Sequence, residues 1–63
     1  MICTLADVRK AKGVTQEQLA EMTGINRVSI AKYETGKVFP SVKNVGRLAD
    51  ALEVSITDII KVG

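Results

Sequence analysis

Apolar positions along this chain recur at three- and four-residue steps, and nowhere do they alternate with period two for long enough to make a strand. The clearest run is Val42, Val45, Leu48, Ala49 and Leu52, which lines one side of an amphipathic helix. Ser41, directly after the only proline, is a natural N-cap for it. Nearer the start, Leu5 and Val8 share a face that Ala11 can join, and Gly13 ends that helix. Thr4 with Asp7 makes a capping box there, with Cys3 packed on Val8 as a staple. Thr15 with Gln18 makes a second box, Leu19 and Ala20 form the buried side of the helix it opens, and Gly24 stops it. Asn26 caps a third helix with Ile30 and Tyr33 inward, closed by Gly36. Ser55 and Asp58 open a last short helix with Ile56, Ile59 and Ile60 inward. The pattern predicts five helices and no sheet, an all-α fold.

The connections are short, and the chain shows no repeat, low-complexity tract or linker, so residues 1–63 are expected to form a single domain. A domain of this size buries only about 60% of its unfolded surface, which makes modest stability the expectation. Gly46, inside the fourth helix, should cost roughly 1 kcal/mol relative to Ala. Either it lies on a partly exposed face where the residue is unconstrained, or another helix approaches it closely.

A cap, a glycine and a second cap between Thr15 and Asn26 form a helix-turn-helix pattern. The second helix of that pair leaves Arg27, Val28, Ala31 and Lys32 facing outward. Charge gives this face its meaning. From Asn26 to Arg47 the basic residues are Arg27, Lys32, Lys37, Lys43 and Arg47, against one acid, Glu34, so the segment carries +4 of a total of +2 and the rest carries −2. One electropositive and one mildly acidic surface suit a polyanion bound on one side only.

Other chemistry is largely excluded. With one cysteine and no histidine, neither a zinc cluster nor a Ser–His or Cys–His nucleophile is available. The glycines lie too far apart for a phosphate loop, and Glu17 with Glu21, or Asp50 with Glu53, are solvated surface acids. No enzyme activity, metal or cofactor is expected. Cys3 alone makes no internal disulfide, points to a reducing compartment and is best read as a packing residue. The first residues do not resemble a signal peptide, and no apolar run approaches the ~20 residues that span a bilayer. A soluble, cytoplasmic protein without a membrane or small-molecule partner is the expectation.

The string Thr15-Gln16-x-x-Leu19-Ala20-x-x-x-Gly24-Ile25, then Ser29-Ile30-x-x-Tyr33-Glu34-x-Gly36-Lys37 and Pro40-Ser41, resembles the lambda-repressor-like, Cro/Xre-type helix-turn-helix family from about Leu5 to Ile60. The resemblance implies a compact five-helix domain, with the helix-turn-helix in helices 2 and 3, that binds double-stranded DNA and represses transcription. It implies a homodimer, at least on DNA, at a palindromic operator. Carried over by position, Arg27, Val28, Ala31 and Lys32 match base-reading positions, with Arg27 suited to guanine and Val28 to a thymine methyl. Gln16, Asn26, Ser29, Tyr33, Lys37 and Lys43 match positions on the DNA backbone; Gln16 can also brace the third helix, and the Tyr33 ring is expected half buried. Arg9 matches an arginine that bridges to Glu34 and ties the first helix to the third.

Some positions depart from the family pattern. Thr23 stands where a larger aliphatic is usual, and Met22 can swing inward to fill the space. Gly46 stands where the family often has a large residue, and Val38 and Phe39 make the loop before the fourth helix more apolar than the usual basic version. Phe39 is a candidate for a satellite core contact, or for a dimer or DNA edge. Dimerisation is expected to use the Ile56–Val62 end and the loop around Phe39. A different class of reading is a protein-interaction module of the same fold, antitoxin- or coactivator-like, which would bind without regard to salt.

Overall fold

The computed structural model describes residues 2–61, which form β1 (Ile2–Cys3), α1 (Leu5–Ala11), α2 (Gln16–Thr23), α3 (Arg27–Thr35), α4 (Val42–Leu52), α5 (Ile56–Ile59) and β2 (Ile60–Lys61). Each helix sends one large aliphatic side chain wholly out of solvent: Leu5, Leu19, Ile30, Leu48 and Ile59. Ile25, Tyr33, Val45, Ala49 and Leu52 complete the core around them. At about 1.5–3 kcal/mol for each fully buried aliphatic, this cluster is the main source of cohesion. Cys3 and Val8 are partly buried and both pack against it.

The helix ends are closed locally. Thr15 and Gln18 exchange hydrogen bonds at the start of α2, backbone N–H to side chain at 2.9 Å and the reverse at 3.0 Å. The Ser41 hydroxyl accepts from the Asn44 N–H at the start of α4. The C-terminal end of α4 is less ordinary. Glu53 takes the left-handed conformation (φ 57°) that ends the helix, while the Val54 N–H reaches back to the Ala49 carbonyl at 3.0 Å.

Several expectations are corrected. A short antiparallel ribbon joins the two ends of the chain, pairing Ile2 with Lys61 and Cys3 with Ile60, where no sheet was expected. Thr4 does not form a capping box with Asp7. Its hydroxyl donates instead to the carbonyls of Asp58 and Ile59 at 2.8 and 3.1 Å, and its N–H to Ile59 at 2.7 Å, so it closes the ribbon. Ala11 is exposed and adds nothing to the core. Ile56 stays 43% exposed, because a single-turn helix turns one residue, Ile59, fully inward; Ile60 lies beyond the helix in β2, where it is partly buried and packs against the core. Val42, the first residue of α4, is 83% exposed. Met22 stays exposed as well, since Thr23 needs no filler. The Thr23 hydroxyl donates to the Leu19 carbonyl at 2.7 Å and accepts from the Ile25 N–H at 3.2 Å. A Cβ added at Gly46 would meet nothing within 4 Å, so no helix among the described residues approaches it closely.

Candidate nucleic-acid interface

The turn between α2 and α3 places the basic helix. Gly24 adopts φ 74° and returns its N–H to the Ala20 carbonyl at 2.8 Å, a conformation that any Cβ would strain. The chain reverses, Ile25 drops into the core, and Asn26 caps α3 through its Oδ1, which accepts from the Val28 N–H at 2.7 Å. The cap uses the Oδ1 of an exposed residue and leaves the two amide N–H donors of Asn26 uncommitted by it. Ile30 and Tyr33 then point inward, which fixes the rotation of α3 about its axis. Arg27, Val28 and Lys32 are consequently exposed, while Ser29 and Ala31 are half-buried.

Two cross-links hold α3 in place. The first converges on Glu34, whose side chain is 7% exposed and that of Arg9 11%. Arg9 Nε donates to Glu34 Oε2 at 2.6 Å and Nη2 to Oε1 at 3.1 Å, while Nη1 donates to the Val14 carbonyl at 2.8 Å. Gln16 Nε2 donates to the same Oε1 at 2.9 Å. One carboxylate thus joins α1, α2 and α3. Burial pushes the Glu34 carboxyl up, but the hydrogen bonds from Arg9 and Gln16, with the charges of Arg9 and Lys10, outweigh it and hold the group below its ordinary value. The hydrogen bond to Glu34 raises Arg9 in turn.

The second cross-link has no local signature in the sequence. Asn44 Nδ2 donates to the Tyr33 hydroxyl at 3.0 Å and ties the first turn of α4 to α3. Tyr33 is only 7% exposed, so its ring is buried and not half-buried. Its hydroxyl proton remains available to a further acceptor. The signal for Asn44 lies in a partner eleven residues away on another helix, which no local pattern contains.

An open cleft lined by Arg9, Thr15, Gln16, Glu17 and Arg27 brings Gln16 and Arg27 together from α2 and α3. Lys37 and Lys43 are exposed beyond the other end of α3. The Lys37 N–H returns to the Lys32 carbonyl at 3.0 Å, which fixes where that loop begins. Among the described residues the one ion pair is Arg9–Glu34. Arg27, Lys32, Lys37, Lys43 and Arg47 therefore carry their charge with no carboxylate in contact, and Glu34, the sole acid of their segment, is already neutralised. Among the same residues no helix is long and apolar enough to cross a membrane.

A family model described as helix-turn-helix matches residues 5–59. The chain is 46% identical over 55 residues to the cryptic phage CTXphi transcriptional repressor RstR of Vibrio cholerae. That match covers 87% of this chain and 49% of the relative, so the chain spans about half of that repressor's length. The solved restriction-modification controller protein C.AhdI from Aeromonas hydrophila superposes with a TM-score of 0.83 at 34% identity, over 89% of this chain and 85% of that one. The P22 c2 repressor, solved in complex with synthetic operator 9T, gives a TM-score of 0.83 at 28% identity, over 90% of this chain and 86% of that one.

Proposed function

The chain belongs to the helix-turn-helix family, in its lambda-repressor-like, Cro/Xre-type branch, and from that premise we propose that it is a sequence-specific regulator of transcription, most simply a repressor, that lays α3 in the major groove of duplex DNA. The observation that carries this reading is the outer face of α3. It presents Arg27, Val28 and Lys32 exposed, beside a segment whose single acid is held by Arg9 and Gln16. A carboxylate left free there would repel phosphate; neutralised from behind, it does not.

The roles follow from donor chemistry. Arg27 offers two parallel N–H groups to guanine O6 and N7, Val28 a methyl surface to thymine, and Lys32 a donor to a base acceptor, with Ala31 leaving room for close approach. Gln16 has a second amide N–H beyond the one given to Glu34, Asn26 has its uncommitted amide, and Tyr33 its hydroxyl proton. These, with Ser29, Lys37 and Lys43, fix register on the phosphates. The domain measures 29 × 22 × 20 Å, less than the ~34 Å of one helical turn, so one copy covers one half-site. Two copies on a palindrome then form the working unit, a homodimer on DNA acting in the cytoplasm. The end of the domain where β1, α5 and β2 meet, with exposed Ile2 and Ile56, is the contact we assign to it.

Selection of random duplexes by the purified protein tests the reading. The expected result is a palindromic motif whose binding falls steeply with salt and depends on Arg27 and Lys32. Recovery of no shared motif overturns it. Binding of a protein partner that ignores salt and both residues would instead support the interaction-module reading.

A further inference from the structure

Beyond the end of α3, within five positions of the chain, stand three exposed apolar side chains to which none of the roles above is given. Val38 is 48% exposed, Phe39 43% and Val42 83%, the highest exposure of any large hydrophobic residue among those described. Lys37 and Lys43 flank them in the chain, and from Thr35 to Ala49 the chain contains no acid. The segment they occupy is also fixed relative to α3. The N–H groups of Lys37 and Val38 return to the Lys32 carbonyl at 3.0 and 3.4 Å, and Asn44 holds the first turn of α4 to Tyr33.

We propose that Val38, Phe39 and Val42 form a DNA-contacting ridge that packs on the deoxyribose faces of the strand flanking the groove read by α3, with Lys37 and Lys43 on the adjoining phosphates. The inference rests on the functional reading above and adds to it a class of contact, apolar and sugar-directed. Charge decides between the possible occupants. A second copy seated on this ridge through a two-fold axis would set lysines against the same lysines, since such an interface apposes identical patches. Like charges brought together in this way repel and oppose association. The sugar–phosphate backbone has the complementary character, an apolar sugar edge between anionic groups at short, regular spacing. The first turn of α4, to which Lys43 belongs, adds the partial positive charge of a helix N-terminus. Ser41, which caps that turn, keeps the ridge residue Val42 at the first helical position.

The test uses a duplex carrying a single half-site of the selected motif, so that one copy binds and dimerisation does not enter. Phe39→Ala and Val42→Ala are each measured for affinity, salt dependence and hydroxyl-radical cleavage, a reaction at the sugars themselves. Val42 touches little of the protein, so its variant stays folded even if Phe39→Ala does not. Each substitution is expected to weaken binding about three- to tenfold. The slope of affinity against salt stays at the wild-type value, because no phosphate contact is lost. Protection of the sugars flanking the half-site disappears. Unchanged affinity and protection in the Val42 variant overturn the proposal, as does an effect seen only in the monomer–dimer equilibrium off DNA. Failure of the wild-type chain to bind any duplex overturns the functional reading, and this inference with it.

Discussion

Arg9 Nε lies 2.6 Å from Glu34 Oε2, and through this contact the first helix sets the position of the third. The pair is nearly enclosed, at 11% and 7% side-chain exposure, and every polar atom in it has a partner. Removing one member leaves the other charged and buried, which costs about 3–5 kcal/mol. Arg9→Ala should therefore lower the melting temperature by more than about 12 °C in a domain of this size. Replacing both by apolar residues of similar volume, Arg9→Met with Glu34→Leu, should recover most of that loss. A single variant melting within a degree or two of wild type would show that the pair is ornamental to stability.

The same carboxylate sets a pH dependence. Its folded-state value lies below the unfolded value of about 4.3, so the folded state binds fewer protons there. The sign follows: the stabilisation is fully present above the unfolded value and is lost as pH falls through the folded one. Asp58, held low by the N–H and hydroxyl of Ser55, adds in the same direction. Stability measured by denaturant should be level near pH 7 and fall from about pH 5 downward. Glu34→Gln should be less stable at pH 7 and decline more gently on acidification. An identical slope in the two proteins would place the acid sensitivity elsewhere.

What was legible in the sequence was local. The box at Thr15, the cap at Asn26 and the stops at Gly24 and Gly36 lie within a few residues of their partners, and they locate α2, α3 and the turn between them. Periodicity identified all five fully buried side chains, because each sits on the stripe of its own helix. What escaped depends on distant partners. Thr4 caps nothing because the Asp58 and Ile59 carbonyls compete for its hydroxyl from the other end of the chain. The ribbon is two residues per strand, too short for any alternation to register. Val42 and Ile56 fall on apolar stripes, but a stripe does not say where the covering element stops. The Arg9–Glu34 contact spans 25 residues and was suggested by family likeness, never by spacing; Asn44–Tyr33 had no such guide.

Two glycine exchanges of opposite sense probe the fourth helix. At Gly46 the space for a methyl group is open, so Gly46→Ala should raise stability by about 1 kcal/mol through helix propensity. At Glu53 the backbone is left-handed without a glycine to hold it, a strain of roughly 1–2 kcal/mol. Glu53→Gly removes that strain at an entropic cost of roughly 0.5–1 kcal/mol, leaving a net gain. Thermal melts read both. A destabilising Gly46→Ala would mean that a second molecule approaches the helix there.

The readers and the clamps of the proposed interface should separate by salt and by sequence. Lys43→Ala removes a charge from a phosphate and should weaken binding to every duplex alike, with the salt slope reduced by about one. Arg27→Ala should instead cost about 1–3 kcal/mol on the selected motif and much less on unrelated duplexes, because what it loses is discrimination at one base pair. Lys32→Ala lies between the two, according to whether its ammonium meets a base or a phosphate, and its salt slope decides which. Val28→Ala keeps the charge and removes two methyl groups, so it should relax the preference for thymine while leaving the salt slope untouched. Equal losses on matched and unmatched duplexes for Arg27→Ala would demote it from reader to clamp. Specificity would then have to come from the deformability of the DNA instead of from α3.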